Sequence, residues 1–218
     1  PMLSVNTNSS AMTALEYLNQ TNAQLSQTEN EINTGMKVAS AADDGSTFAI
    51  AQDMRGDVAG YSAVTDSLNR GTSAVDVAMS AGQSISDLLI QMKQQALSAS
   101  DQSLSTSDRT AMNDDFTALR DQIGTIVTNA SFNGFDLIDG STTQITALAS
   151  ADGSSHITVS AQTLTLSALS LSSATIGSQS AASGMISTIE TALTTVDAAL
   201  SSLSSGAKKF SVQMGFVS

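Results

Sequence analysis

A chain of 218 residues with net charge −12, no cysteine and no tryptophan offers one domain, or one domain with an arm, built on small aliphatic side chains. Its eight basic residues form no cluster and aromatics are only 4 %, which argues against a nucleic-acid partner or an anionic membrane surface. Without cysteine there is no disulfide, thiol nucleophile or cysteine metal site.

The first eight residues, Pro1 to Asn8, contain neither a basic stretch nor an apolar one, so no cleaved secretory signal is expected. No run of 18 apolar residues follows, and no membrane insertion is expected. Pro1 is the only proline, so nothing breaks a long helix from within. In the first helical stretch Ala11, Leu18, Leu25 and Ile32 recur every seven residues, with Leu15 on the same stripe. Asn22 and Glu29 occupy the companion positions, leaving a narrow stripe that is marginal alone in water and the least stable part of the chain. The pattern lapses between 33 and 47. There Asn33-Thr34-Gly35 and Asp43-Asp44-Gly45-Ser46 carry turn and cap chemistry, an elbow centred on Gly35, Asp43 and Asp44.

The second stretch, 48 to 100, is the longest, about 70 Å or more at 1.5 Å per residue. Tyr61, Val64, Leu68, Gly71, Val75, Ala78, Gly82, Ile85, Leu89, Met92, Ala96 and Ala99 alternate by three and four, the signature of a coiled-coil seam. Gly71 and Gly82 each cost a helix about 1 kcal/mol against alanine, and close approach of a neighbouring backbone would explain them. Ser105 followed by Asp108 starts a third helix, striped by Met112, Phe116, Leu119, Ile123, Ile126 and Ala130. It closes at the turn Phe132-Asn133-Gly134, with positive φ expected at Gly134.

From 141 to 180 the texture changes. Ile145, Ala147 and Ala149, then Ile157 and Val159, alternate with polar residues around Asp152-Gly153, the composition of a β-hairpin. Leu164, Leu166, Leu169 and Leu171 follow in a Ser/Thr-rich setting with no assignable element. A last helix from about 181 carries Ile186, Ile189, Leu193, Val196, Leu200, Leu203, Ala207, Phe210, Met214 and Val217 in an unbroken seam. The fold class is mainly α, a long coiled-coil-like bundle with a short β-hairpin element.

Chemistry finds little to stand on. His156 is the only histidine and reads as an inert surface residue beside the hairpin, so no triad or His-based metal site can be built. Adjacent carboxylates such as Asp43-Asp44 and Asp114-Asp115 point about 100° apart on a helix and form no acid–base dyad. No glycine-rich phosphate loop occurs, and the serines have no base to activate them. Met54, Met79, Met92, Met112, Met185 and Met214 sit mostly on or beside the stripes, where core filling is the default reading. No catalytic, metal or cofactor residue is expected.

Four segments together resemble bacterial flagellin. Val5-Asn6-Thr7-Asn8, with Ala14-Leu15 and Leu18, is similar to the family's I-N-T-N start. Ala42-Asp43-Asp44-Gly45 with Ala49-Ile50-Ala51 resembles its A-x-D-D-x-x-x-x-A-I-A elbow. Ser103-Leu104-Ser105-Thr106-Ser107-Asp108-Arg109 resembles its T-L-S-x-x-D-R block. The run Ser131-Phe132-Asn133-Gly134-Phe135-Asp136-Leu137-Ile138-Asp139-Gly140 resembles T-F-N-G-x-x-L-L-D-G. The resemblance implies a filament subunit, exported through the flagellar secretion channel without a cleaved signal to an extracellular flagellum. Its partners would be other flagellin subunits and an export chaperone or assembly factor. It implies an N-terminal arm and elbow over 1–43, rod helices over 44–140, a short β and variable region over 141–180, and a C-terminal rod helix over 181–218. The packing seam would comprise Tyr61, Leu68, Val75, Ile85, Leu89, Met92, Phe116, Leu119, Ile123, Ile189, Leu193, Val196, Leu200, Leu203 and Phe210. A hook–filament junction protein is the alternative, and such proteins match the D-R and F-N-G blocks less well. An enzyme of the kind formed by protease insertion would need more than a forty-residue variable region.

Three departures from the family pattern matter. Glu31-Ile32-Asn33-Thr34-Gly35-Met36-Lys37-Val38-Ala39 stands where flagellins usually read R-L-S-S-G-x-R-I-N. Gln91, Lys93 and Gln94 occupy the L-Q-R-x-R-E-L block that contributes to recognition by the Toll-like innate receptor. Gln91 and Gln94 there resemble the evasive alphaproteobacterial flagellins, which implies weak or absent receptor activation. Finally, flagellins end in a further amphipathic helix that pairs with the N-terminal one, and this chain is expected to lack it. The 218-residue chain should then stay monomeric or weakly associated. Electron microscopy after salt or seed addition checks this, and abundant long filaments would contradict it.

Overall fold

The computed structural model describes residues 8–42 and 44–218. The elbow residue Asp43 and the Val5-Asn6-Thr7 part of the opening motif lie outside the described residues. The chain divides into two units, Pro1–Val58 and Ala59–Ser218.

In the first unit, α1 (Ser9–Thr34) opens with the Asn8 side chain accepting the Ala11 N–H at 3.1 Å and ends on Gly35 at φ 66°. No residue of α1 is buried, and its stripe of Leu15, Leu18, Leu25 and Ile32 is 55–75 % exposed. After the elbow, α2 (Gly45–Ala99) starts three residues earlier than the helical stretch expected from 48. Asp44 causes this: its carboxylate accepts the N–H groups of Ser46 and Thr47, each at 3.1 Å, and the Thr47 hydroxyl at 2.7 Å. These hydrogen bonds, that from the Thr47 hydroxyl first, hold the Asp44 carboxyl below its ordinary value. Arg55 folds back on the elbow, donating to the Val38 carbonyl at 3.2 Å and to Gln52 Oε1 at 2.6 Å.

The second unit holds the core. Along α2 the buried positions are Val64, Leu68, Gly71, Val75, Ala78, Gly82, Ile85, Leu89, Met92, Ala96 and Ala99, flanked by Ala74 and Leu88. The buried seam begins at Val64, one step after the periodicity starts it, because Tyr61 is 42 % exposed. The last helix, α4 (Gln179–Val217), lies antiparallel to it. Gly71 faces the Phe210 ring, Gly82 faces Leu200, and Lys93 Nζ meets Glu190 Oε1 at 2.8 Å. An added Cβ would come within 3.0 Å of Phe210 at Gly71 and 2.8 Å of Leu200 at Gly82. Side chains of α4, rather than a neighbouring backbone, therefore exclude a side chain at these two glycines.

Between the two long helices come α3 (Thr106–Asn129) and two hairpins. The first pairs β1 (Ser131–Phe132) with β2 (Phe135–Asp136) through Asn133 at φ 50° and Gly134 at φ 82°. Two successive positive φ values define the tight turn that Asn-Gly favours, so the turn expected at the end of α3 is itself a hairpin. The second pairs β3 (Gln144–Leu148) with β4 (His156–Ser160) in register from Gln144↔Ser160 to Leu148↔His156. Its inner face buries Ile145, Ala147 and Val159.

The leucine-rich stretch that periodicity leaves unassigned is an irregular covering layer of the core. Leu164, Leu169, Leu171, Ala174 and Ile176 are all buried there. Side chains of α3 satisfy its backbone. Asn113 Oδ1 accepts the Thr175 hydroxyl at 2.7 Å and the Ile176 N–H at 2.8 Å, and Arg120 donates to the Ala174 carbonyl at 3.2 Å.

On α4 the deepest positions are Ile189, Val196, Leu203 and Phe210, seven apart, with Ala192, Ala199 and Gly206 forming a second buried row. The small row admits the hairpin, and an added Cβ at Gly206 would collide with the Val159 side chain. Gly206→Ala should therefore lower stability by about 1–3 kcal/mol, the overpacking cost exceeding the helix-propensity gain of about 1 kcal/mol. Gly184→Ala, in open space on the same helix, should stabilise. Thermal melts of both variants check the pair, and equal shifts would contradict the packing argument.

Candidate functional site

Of the predicted seam, Leu68, Val75, Ile85, Leu89, Met92, Phe116, Ile123, Ile189, Val196, Leu203 and Phe210 are buried inside the second unit. Leu119, Leu193 and Leu200 are half-buried and pack against the same core, while Tyr61 is exposed. The seam is an intramolecular core, so surfaces for other molecules lie elsewhere.

The signature blocks acquire physical roles. Ser105 Oγ accepts the Asp108 N–H at 3.1 Å and its hydroxyl donates to Asp108 Oδ2 at 2.6 Å, which opens α3. Beside it, Arg109 is buried and closes α2: its Nε donates to the Ala99 carbonyl at 2.9 Å and its Nη2 to the Asp101 carbonyl at 2.8 Å. Asp101 in turn caps Ser103, whose N–H, hydroxyl and the nearby Arg109 charge lower its carboxyl below the ordinary range. The Asp-Arg pair thus starts one helix and ends another.

In the second block Asp136 is buried with Oδ1 accepting the N–H groups of Ile138 at 2.9 Å and Asp139 at 3.1 Å, while Oδ2 has no hydrogen-bond partner. Burial pushes its carboxyl up against the pull of those N–H groups. Asp139 Oδ1 accepts the Ser141 N–H and hydroxyl. These carboxylates organise turns.

Among the described residues no group of three or more His, Asp or Glu is placed to hold a metal ion. His156 stands exposed at the start of β4. Gln91 and Gln94 are exposed on α2, and Lys93 between them is partly covered and paired with Glu190.

What the surface does offer is apolar. In the first unit Ile50, Met54 and Val58 form a stripe at four-residue spacing on α2, each more than 60 % exposed. In the second, Ile90 and Leu97 on α2, Phe135 in β2, and Val212 and Phe216 on α4 are exposed. No described helix is long and apolar enough to cross a membrane.

These features define a class: a protein of long packed helices whose polar side chains serve caps and turns, and whose exposed chemistry is apolar stripes. The chain belongs to the bacterial flagellin family, since the family model for the bacterial flagellin N-terminal helical region matches residues 5–143. It is 46 % identical over 161 residues to flagellin FljK of Caulobacter vibrioides, covering 74 % of this chain and 59 % of that protein. To a flagellin of Brucella melitensis it is 34 % identical over 155 residues, 71 % of this chain and 54 % of the relative. The chain thus spans little more than half the length of these relatives. The fold is similar to the crystal structure of Bacillus cereus flagellin, with a TM-score of 0.64 at 19 % identity, covering 71 % of this chain and 89 % of that one.

The β3–β4 turn yields a pH prediction. Asp152 Oδ1 accepts the Ser150 hydroxyl at 2.5 Å, the Ser154 N–H at 3.0 Å and the Ser154 hydroxyl at 2.8 Å, bringing its carboxyl down from 3.8 to about 2. A carboxyl depressed by folding stabilises the turn above its unfolded value, and that contribution is lost as pH falls from 3.8 to about 2. An NMR titration should place the Asp152 midpoint near 2, and a midpoint near 4 would refute the hydrogen-bonded turn.

Proposed function

We propose that this chain is a structural subunit of the bacterial flagellar filament, assembling with other flagellin subunits outside the cell after export through the flagellar secretion channel. The observation that carries the reading is the arm. A 26-residue helix without one buried residue, carrying Leu15, Leu18, Leu25 and Ile32 exposed on one stripe, is marginal in water until a partner covers it. Membership of the flagellin family makes that partner other subunits, and before assembly an export chaperone or assembly factor would cover the same stripes. The proposed parts are an arm with its elbow over 1–43, rod helices over 44–140, a variable β region over 141–180 and a C-terminal rod helix over 181–218. The work is polymerisation and torque transmission rather than catalysis. The reading extends to weak or absent activation of the innate flagellin receptor, because neutral Gln91 and Gln94 occupy the block where other flagellins present charge.

The test is complementation of a flagellin-less bacterium with the whole protein. Wild-type protein should yield filaments by electron microscopy. Leu18→Asp with Leu25→Asp should yield exported subunits and at least tenfold fewer filaments, and normal filament numbers would sink the reading of the arm. Filaments sheared from the same cells and depolymerised should give little reporter-cell response at nanomolar protein, and a full response would sink the receptor claim.

A further inference from the structure

We infer that Arg70, at the mouth of a groove between α2 and the two hairpins, is a docking site for a carboxylate side chain of a second copy of this chain. The inference rests on the filament reading and adds the place and chemistry of one subunit contact.

The four arginines carry the argument. Arg55 donates to Val38 and Gln52, Arg109 to Ala99 and Asp101, and Arg120 to Ala174 and Asp121. Each of these three has its guanidinium engaged within the chain. Arg70 is exposed, and among the described residues it makes no hydrogen bond or ion pair. It lines a groove of about 390 Å³ together with Phe132 and Phe135 of the β1–β2 hairpin and Gln144 of β3, over buried Ala74 and Ile145. Phe135 is an aromatic residue left 44 % exposed in a chain that has only six phenylalanines.

A guanidinium beside aromatic rings over an apolar floor binds a planar anion on an apolar stem. The fork matches a carboxylate bidentately, and the rings exclude water and hold the stem. The Gln144 amide adds a donor for a second oxygen. Charge selects the occupant. With 20 acidic and 8 basic residues, every copy presents exposed carboxylates and few cations, so an engaged Arg70 turns like-charge repulsion between copies into a specific contact. The same net charge of −12 repels a polyanion such as nucleic acid. On α3, Asp114 and Asp115 are exposed and supply carboxylates of the required kind.

The experiment uses filaments grown by cells that express the whole protein with a photo-crosslinking phenylalanine analogue at Phe135. Irradiation should give an adduct between two copies, mapped by mass spectrometry to a peptide with an exposed Asp or Glu. Arg70→Glu should reduce the adduct or the filament yield at least tenfold, and Arg70→Lys should keep most of both. Thermal melts of the two purified variants should match wild type, because Arg70 is exposed and makes no hydrogen bond or ion pair among the described residues. Filaments that form normally with Arg70→Glu and give an unchanged adduct, or an adduct to a different protein, would overturn the groove contact and leave the filament reading standing. Wild-type cells that make no filaments would overturn both.

Discussion

Everything in the second unit depends on how closely α2 and α4 approach. Gly71 lies under the Phe210 ring and Gly82 under Leu200, with the Lys93–Glu190 pair further along the same antiparallel track. The contacts fall eleven residues apart on α2 and ten apart on α4, about three helical turns each. Glycine at two of the three removes the side chain that would hold the helices apart, and the large residues of α4 occupy the space. A helix interior normally disfavours glycine by about 1 kcal/mol, so its presence here is understandable only through the partner helix. The ion pair is half-exposed and adds register more than stability.

Once the two helices are fixed, the rest of the unit has to close the remaining sides. Ala192, Ala199 and Gly206 on α4 form a shallow row where the β3–β4 hairpin and the leucine-rich layer settle. Side-chain amides of α4 tie that helix to the β3–β4 hairpin and to the end of α2: Gln213 donates to the Ala149 carbonyl at 2.7 Å and Gln179 to the Ser100 carbonyl at 3.2 Å. Ser67 accepts the Leu148 N–H at 3.0 Å in the same way. Polar side chains of the long helices thus serve backbone groups outside those helices.

The long helices were legible because a three–four alternation is the same signal whether the partner helix is nearby or distant in sequence. Two cap residues were legible too: Asp44 and Ser105 each act within three residues, so chain neighbours reveal them, whereas Asn8 and Ser178 cap α1 and α4 in the same way and were passed over. The leucine-rich layer was not, because Leu164, Leu169 and Leu171 follow no helical or strand period and are buried by residues distant in sequence, as Leu164 is beside Gly82. The role of Arg109 was equally hidden. Its partners are two carbonyls, which every residue possesses, so no spacing rule points to them. The small row of α4 had one usable sign, Ala192, Ala199 and Gly206 at intervals of seven, which an eye trained on large apolar residues passes over.

The chain's stability is unevenly placed, and this bears on what the molecule can do. The second unit buries aliphatic and aromatic side chains continuously from Val64 to Phe210. The described part of the first unit buries none of α1 and holds its elbow with the Asp44 cap and the Arg55 hydrogen bond to the Val38 carbonyl. A helix nucleates at a cost that one narrow stripe does not repay in water, so the order of α1 is set by what covers Leu15, Leu18, Leu25 and Ile32. Covering them from another molecule couples ordering to association: the free arm opens locally at little cost, and the bound arm gains both helix and contact in one step. A chain arranged this way keeps a folded body in its second unit, while the first helix, with no buried residue, depends on whatever covers its stripe.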